Sequence, residues 1–159
     1  MNKIKLIEAI IVELHGKVSM HMSAAKAAHE EATHEENVAE DKYDTRGLEA
    51  SYLAAGQAKQ TVEMAAAVHD YSSLFVKKFT EKDPIDVSAL VELKSGKEKQ
   101  LYFIGPSAGG LEVEFEGRTV LILTPQSPLG GQMMGRKKGD KLKIKIAGMV
   151  SDYQVMSVT

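Results

Sequence analysis

Apolar positions recur through the first half of this chain at helical intervals. Ile4, Ile7, Ile11, Leu14 and Val18 are followed by Ala25, Ala28 and Ala32, with His21 completing the one seven-residue step. Steps of three, four and seven place these side chains on one face of a helix. Only Gly16 interrupts residues 3–40, and no Pro does. The spacing therefore predicts one helix, about 55 Å long at the usual rise per residue. A second seam, Leu48, Tyr52, Ala55, Ala58, Val62, Ala65 and Val68, repeats at threes and fours, and Phe75 extends it. Between the seams, Asp44, Thr45 and Gly47 favour turns or caps over a helix interior. Two long helices with a break between them predict an antiparallel coiled-coil hairpin. Both seams shift toward Ala near the break, which predicts a narrow tip and a wider base.

The pattern changes after Lys82-Asp83-Pro84, where the helical region is expected to end. Val87–Leu93, Leu101–Ile104, Leu111–Phe115 and Thr119–Leu123 read as strands, with Val113 and Phe115 alternating against Glu112, Glu114 and Glu116. Ser127-Pro128 suits a helix start and Gly135 a helix end, so residues 127–135 predict one short helix. Lys141–Ile146 alternates lysines with Leu142, Ile144 and Ile146, and Tyr153–Val158 is a last strand. The expected class is α+β: a hairpin over residues 1–80, then a β-rich domain over residues 84–159 with about six strands and one short helix.

Composition narrows the chemistry. The 159 residues include no Cys and no Trp, which excludes disulfides, cysteine nucleophiles and thiolate metal sites. No apolar run approaches a membrane span, and Glu8 and Glu13 break up the apolar start. No membrane association and a cytoplasmic location are the expectations. The net charge of −2 hides an asymmetry. Residues 30–49 hold eight acids and two bases, a net of −6, whereas residues 134–145 hold six bases and one acid, a net of +5. The basic run reads either as a strand edge kept soluble by lysine or as a docking patch for an acidic surface. His15 and His21 are six apart and His29 and His34 five apart, which is not the i, i+4 spacing of a helical chelate. They read as surface or seam residues. Gly105 to Gly110 lacks the Lys-Ser/Thr ending of a phosphate loop and reads as a hairpin loop.

Taken together, these features resemble the bacterial Gre transcript-cleavage factors. A helical hairpin precedes a small β-rich domain. The stretch SPLGGQMMGRKKGDKLKI is similar to the motif of the Gre C-terminal domain in residue type and spacing. EDKYDTRGLEASYLAAGQAKQ resembles the Gre tip, where two acids three residues apart end the hairpin and an acid and a Tyr follow on the returning helix. Asp41 matches the first acid. Asp44 stands where Glu is usual, Thr45-Arg46 replaces Asn-Ala, and Tyr52 fits the Tyr if a few residues are inserted. Asp44 and Glu49 both remain open as the second acid.

The resemblance implies an FKBP-like C-terminal fold and a hairpin that enters the secondary channel of bacterial RNA polymerase. It implies Asp41 and Asp44 as carboxylates directed at a Mg²⁺ shared with the polymerase, helped by Glu40 or Glu49. On this reading the chain is not itself an enzyme and holds no cofactor alone. It stimulates cleavage of backtracked transcripts by the polymerase, touches nascent RNA only indirectly and reads no DNA sequence. A prolyl isomerase, the nominal alternative for such a fold, needs an aromatic cage that residues 84–159 do not offer. A non-cleaving regulator or inhibitor that binds the same channel is the alternative within the family, and a coiled-coil adaptor unrelated to polymerase is the alternative outside it.

Overall fold

The computed structural model describes residues 1–34, 45–146 and 148–159. Two helices, α1 (Lys3–Thr33) and α2 (Arg46–Ser72), precede six strands and a third, short helix. The strands are β1 (Leu90–Ser95), β2 (Glu98–Ile104), β3 (Glu112–Phe115), β4 (Arg118–Leu123), β5 (Lys141–Ile146) and β6 (Met149–Val158), with α3 (Pro128–Met133) between β4 and β5. They form one sheet in the order β3-β4-β2-β1-β6-β5. Only β2 and β4 run parallel. The class is α+β, with the strand count and the single short helix that the turn and alternation signals predict.

The chain forms two compact units. One joins Met1–Ile11 to His69–Thr159 and the other is Val12–Val68. The expected domains of 1–80 and 84–159 thus differ from this division in where the helix ends belong. Leu6, Ile7, Ile10 and Tyr71 are buried in the sheet-containing unit. A cut at Pro84 would strip them from it.

Within that unit the sheet buries both faces over part of its width. One face carries Val91, Leu93, Tyr102, Ile104, Leu142, Val155 and Val158, packed with Leu129 and Met133 of α3. The other carries Phe103 and Ile122, which lie opposite each other in register, and the Tyr71 ring lies 6.4 Å from that of Phe103. The Tyr71 hydroxyl donates to the Ser107 carbonyl at 3.0 Å. Burial pushes that phenol well above its ordinary pKa, with the neighbouring Asp70 adding to the effect. A Cβ at Gly105 would lie 1.9 Å from the Tyr71 hydroxyl, so a side chain there would displace the ring.

Residues 73–89 hold no helix, so α2 ends ten residues before the expected stop. At this end the Ser73 amide donates to the His69 carbonyl, and its hydroxyl donates to the carbonyls of His69 and Asp70. Phe75, expected on the seam, is 84% exposed. The connection is tied back to α1 by Lys3, whose ammonium donates to the carbonyls of Lys77 at 2.5 Å and Ser88 at 3.1 Å and lies 4.6 Å from the Phe79 ring centre. Burial lowers the Lys3 pKa to about 8.

In the helical unit, His21 of α1 meets Gln57 of α2, with Nδ1 and Oε1 2.7 Å apart. Glu31 shares a hollow with Arg46. Each pair sums to nearly the same number, which is the signature of an antiparallel register, and Ala28 and Ala50, both buried, obey the same sum. The α1 seam is the expected one from Ile7 to Ala32, although Ile4 is 62% exposed. The α2 seam is not. Ala50, Ala54, Gln57, Thr61, Met64 and Ala67 form the buried and half-buried stripe along its length, while of the expected positions Leu48, Tyr52, Ala55, Ala58, Val62 and Ala65 are exposed and Val68 is half-buried. The observed stripe is rotated from the expected one by roughly a third of a helical turn, and it admits the polar Gln57 and Thr61 that a search for apolar seams passes over.

Candidate functional site

Of the nominated carboxylates, Glu40, Asp41 and Asp44 lie outside the described residues. Glu49 is described: it sits in the first turn of α2, exposed to solvent. Thr45 precedes that turn, and its carbonyl accepts from the Glu49 amide at 2.9 Å, which makes it the N-cap. The Thr45 hydroxyl donates to Glu49 Oε1 at 2.8 Å. A carboxylate in the first turn is also favoured by the positive end of the helix dipole. One oxygen of Glu49 is thus engaged locally, and Glu49 lines a small hollow of about 230 Å³ with Glu31, Arg46, Ala50 and Leu53. Tyr52, one turn further, is 71% exposed. Among the described residues, no three His, Asp or Glu side chains group as a metal site.

The histidines follow the seam reading where the structure tests it. His21 is a half-buried polar member of the helix–helix seam, bonded to Gln57. Which of the two donates depends on the imidazole tautomer. His15, His29, His34 and His69 are exposed.

The SPLGG segment folds as its residue types predict. Ser127 caps α3, its Oγ accepting from the Gly130 amide at 3.1 Å, and Pro128 opens the helix. Gly135 follows the C-cap with φ +77°, a conformation that costs glycine little. A Cβ at Gly130 would lie 2.1 Å from the Thr124 carbonyl oxygen, so this turn can pass under α3 only with glycine. Met133 is fully buried and Leu129 nearly so, while Met134 is half-buried against the same core. The Gly135 amide donates to the Ile85 carbonyl and the Ile85 amide to the Arg136 carbonyl, fastening the motif to the segment that leads into the sheet.

The basic run divides. Lys137 and Asp140 close a turn, the Lys137 amide donating to the Asp140 carboxylate at 2.9 Å, and Lys138 pairs with Glu81. Lys141, Lys143 and Lys145 stand on β5, the edge strand. No sequence signal pointed to Lys94, which the sheet places in line with them.

No protein-family profile matches the chain. Two curated proteins do: a protein named transcription elongation factor GreA from Thermotoga neapolitana is 37% identical over 67 residues, and one of the same name from Thermotoga petrophila is 33% identical over 81 residues. Both matched proteins carry the GreA name. The matched stretches span 42% and 49% of this chain and 38% and 47% of those proteins, less than half of the Gre-type relatives' length. Among solved structures, the chain is similar to the GreA factor homolog 1, Gfh1, of Thermus thermophilus, at 14% identity, 95% coverage of both chains and a TM-score of 0.38. It is also similar to Gfh1 of Thermus aquaticus, at 16% identity, coverage of 95% of this chain and 92% of the other, and a TM-score of 0.39. At such TM-scores neither fold nor activity transfers. The α+β architecture rests on the strands and helices described above.

Proposed function

We propose that this chain acts on transcription by binding bacterial RNA polymerase at its secondary channel, with the helix pair as the inserted element. The observation that carries this reading is the sequence similarity to proteins named as GreA elongation factors. In support, the chain has an antiparallel helix pair, and its SPLGG segment forms a capped helix packed on the sheet. On this reading the chain stimulates cleavage of backtracked nascent RNA and is not an enzyme alone. Asp41 and Asp44 are the carboxylates lent to the polymerase, with Glu40 or Glu49 as helpers. A Mg²⁺ shared with the polymerase would supply charge stabilisation and an activated water, and it favours carboxylate oxygens with retained waters. The chain's own part is to bring negative charge to the end of the helix pair.

One observation favours the second reading, a regulator that binds the channel without promoting cleavage. The Glu49 carboxylate is already held by Thr45, and Asp44 is one methylene shorter than the usual Glu. The deciding experiment is purified bacterial polymerase stalled in a backtracked complex, with RNA sized in the presence and absence of the full chain. Shortened RNA that disappears in Asp41→Ala and Asp44→Ala, by roughly 100-fold in rate, supports cleavage. Cleavage lost in Glu49→Ala but kept in Asp44→Ala makes Glu49 the second acid. Binding without cutting by the wild-type chain selects the regulator, and absence of polymerase binding overturns both.

A further inference from the structure

The sheet face that carries Phe103 and Ile122 changes character across its width. Cross-strand register puts Glu92, Leu101 and Val120 in one row of this face, and Lys94, Gln154 and Lys141 in another that runs from β1 through β6 to β5. Lys143 lies opposite Asp152 on the same face, and Lys145 opposite Val150. At this end the surface is concave, with a hollow of about 540 Å³ lined by Lys94, Lys141, Lys143, Asp152 and Gln154. Glu92 is already satisfied by Arg118 at 2.8 Å and Lys99 at 3.3 Å. Among the described residues, Lys94, Lys141, Lys143 and Lys145 form no ion pair.

Protection of a strand edge accounts for lysines on β5. It does not account for Lys94, because β1 is an interior strand between β2 and β6. Three amines converging on one hollow with a single carboxylate form a site for an anion. Alternate residues of β5 stand roughly 7 Å apart along the strand, a repeat close to that of successive phosphates in an extended single strand. Leu142, which is buried, and the half-buried Tyr153 also border the hollow, so its exposed charge comes from the three lysines. Phosphate binding draws its affinity from amines and from the counterions they release.

We infer that the open face of β1, β6 and β5 binds the phosphodiester backbone of single-stranded nucleic acid, without base preference, through Lys94, Lys141 and Lys143. The inference does not depend on the polymerase reading.

The test is fluorescence anisotropy of the full chain with a labelled oligouridylate about twelve nucleotides long, titrated across salt. Three phosphate contacts give a slope of log affinity against log salt of about −2, and roughly fifteenfold weaker binding at about 200 mM than at about 50 mM salt. Lys141→Gln/Lys143→Gln should bring the slope to about −0.7, and Lys94→Gln, on a different strand, should remove about 0.7 from it. Lys17→Gln on α1 should leave it unchanged. Circular dichroism checks that each variant folds; if the β5 double variant does not, Lys94→Gln carries the test. Three results overturn the inference: binding unchanged in folded Lys94→Gln, displacement by polyglutamate more readily than by unlabelled oligouridylate, which would make an acidic protein segment the ligand, or displacement by inorganic phosphate at equal phosphate concentration, which would make it a free-anion site.

Discussion

The two compact units hold themselves together in different ways. The sheet unit fixes Phe103, Ile104, Ile122, Leu93 and Met133 with almost no exposure. Between Val12 and Val68 the buried apolar residues are Leu14, Ala28, Ala50 and Ala67 among those described, and three of the four are alanines. Stability from burial follows the apolar area removed from water. The sheet unit therefore gains more from burial, while the helical unit relies on helix hydrogen bonds, the burial of Leu14 and three alanines, and the His21–Gln57 pair. A helix pair held this way leaves most of its side chains exposed.

Truncation to alanine in each unit should break the comparison most sharply. Phe103→Ala should cost about 3–5 kcal/mol, read as a fall in the urea midpoint. Val62→Ala, on the exposed face of α2, should stay within about 0.5 kcal/mol. Equal losses would mean that the shaft contributes as much burial as the sheet. Gly130→Ala should cost about 1–3 kcal/mol through overpacking against the Thr124 carbonyl, whereas Gly56→Ala, where the added methyl meets nothing within 4 Å, should stabilise α2 by up to about 1 kcal/mol. Thermal melts of the two variants should move in opposite directions.

His21→Ala should cost about 1 kcal/mol by leaving Gln57 unpaired in the seam. Amide exchange should quicken in the helical unit before it does in the sheet unit, and uniform quickening would show that the two unfold together. The smallest effect is a pH dependence. Between about pH 8 and the ordinary lysine range, the unfolded chain binds a proton at residue 3 that the folded chain does not, so stability from this site rises with pH through that window. Lys3→Met should remove the rise; urea midpoints of both proteins at either end of the window decide it.

The parts legible in the sequence are those with strong local rules. Ser127, Pro128 and Gly135 mark α3 because capping chemistry is read within one turn. Lys141–Ile146 is β5 to the residue because alternation on an edge strand is unambiguous. The α2 seam was hidden because hydrophobicity ranks Leu48, Tyr52 and Val62 above Ala50, Gln57 and Thr61, while the packing selects the smaller set. The end of α2 at Ser72 carries no such mark, because the turn residues Asp83 and Pro84 that suggested a later stop lie beyond it in sequence. Among the candidate site residues, only Glu49 falls within the described chain, and its bond to Thr45 follows from the cap. Lys94 joined the basic face through strand pairing between residues sixty apart in sequence, a relation that spacing alone does not contain.

The constant sum that relates His21 to Gln57 and Ala28 to Ala50 also fixes how such a shaft can change length. An insertion in one helix alone would shift every later pair out of step and set the imidazole against the wrong neighbour. Seven residues added to each helix at the same level would preserve both the facing stripe and the pairing, lengthening the shaft by about 10 Å. Length in this architecture is thus quantised: descendants of this chain can extend the helix pair only in steps of two helical turns.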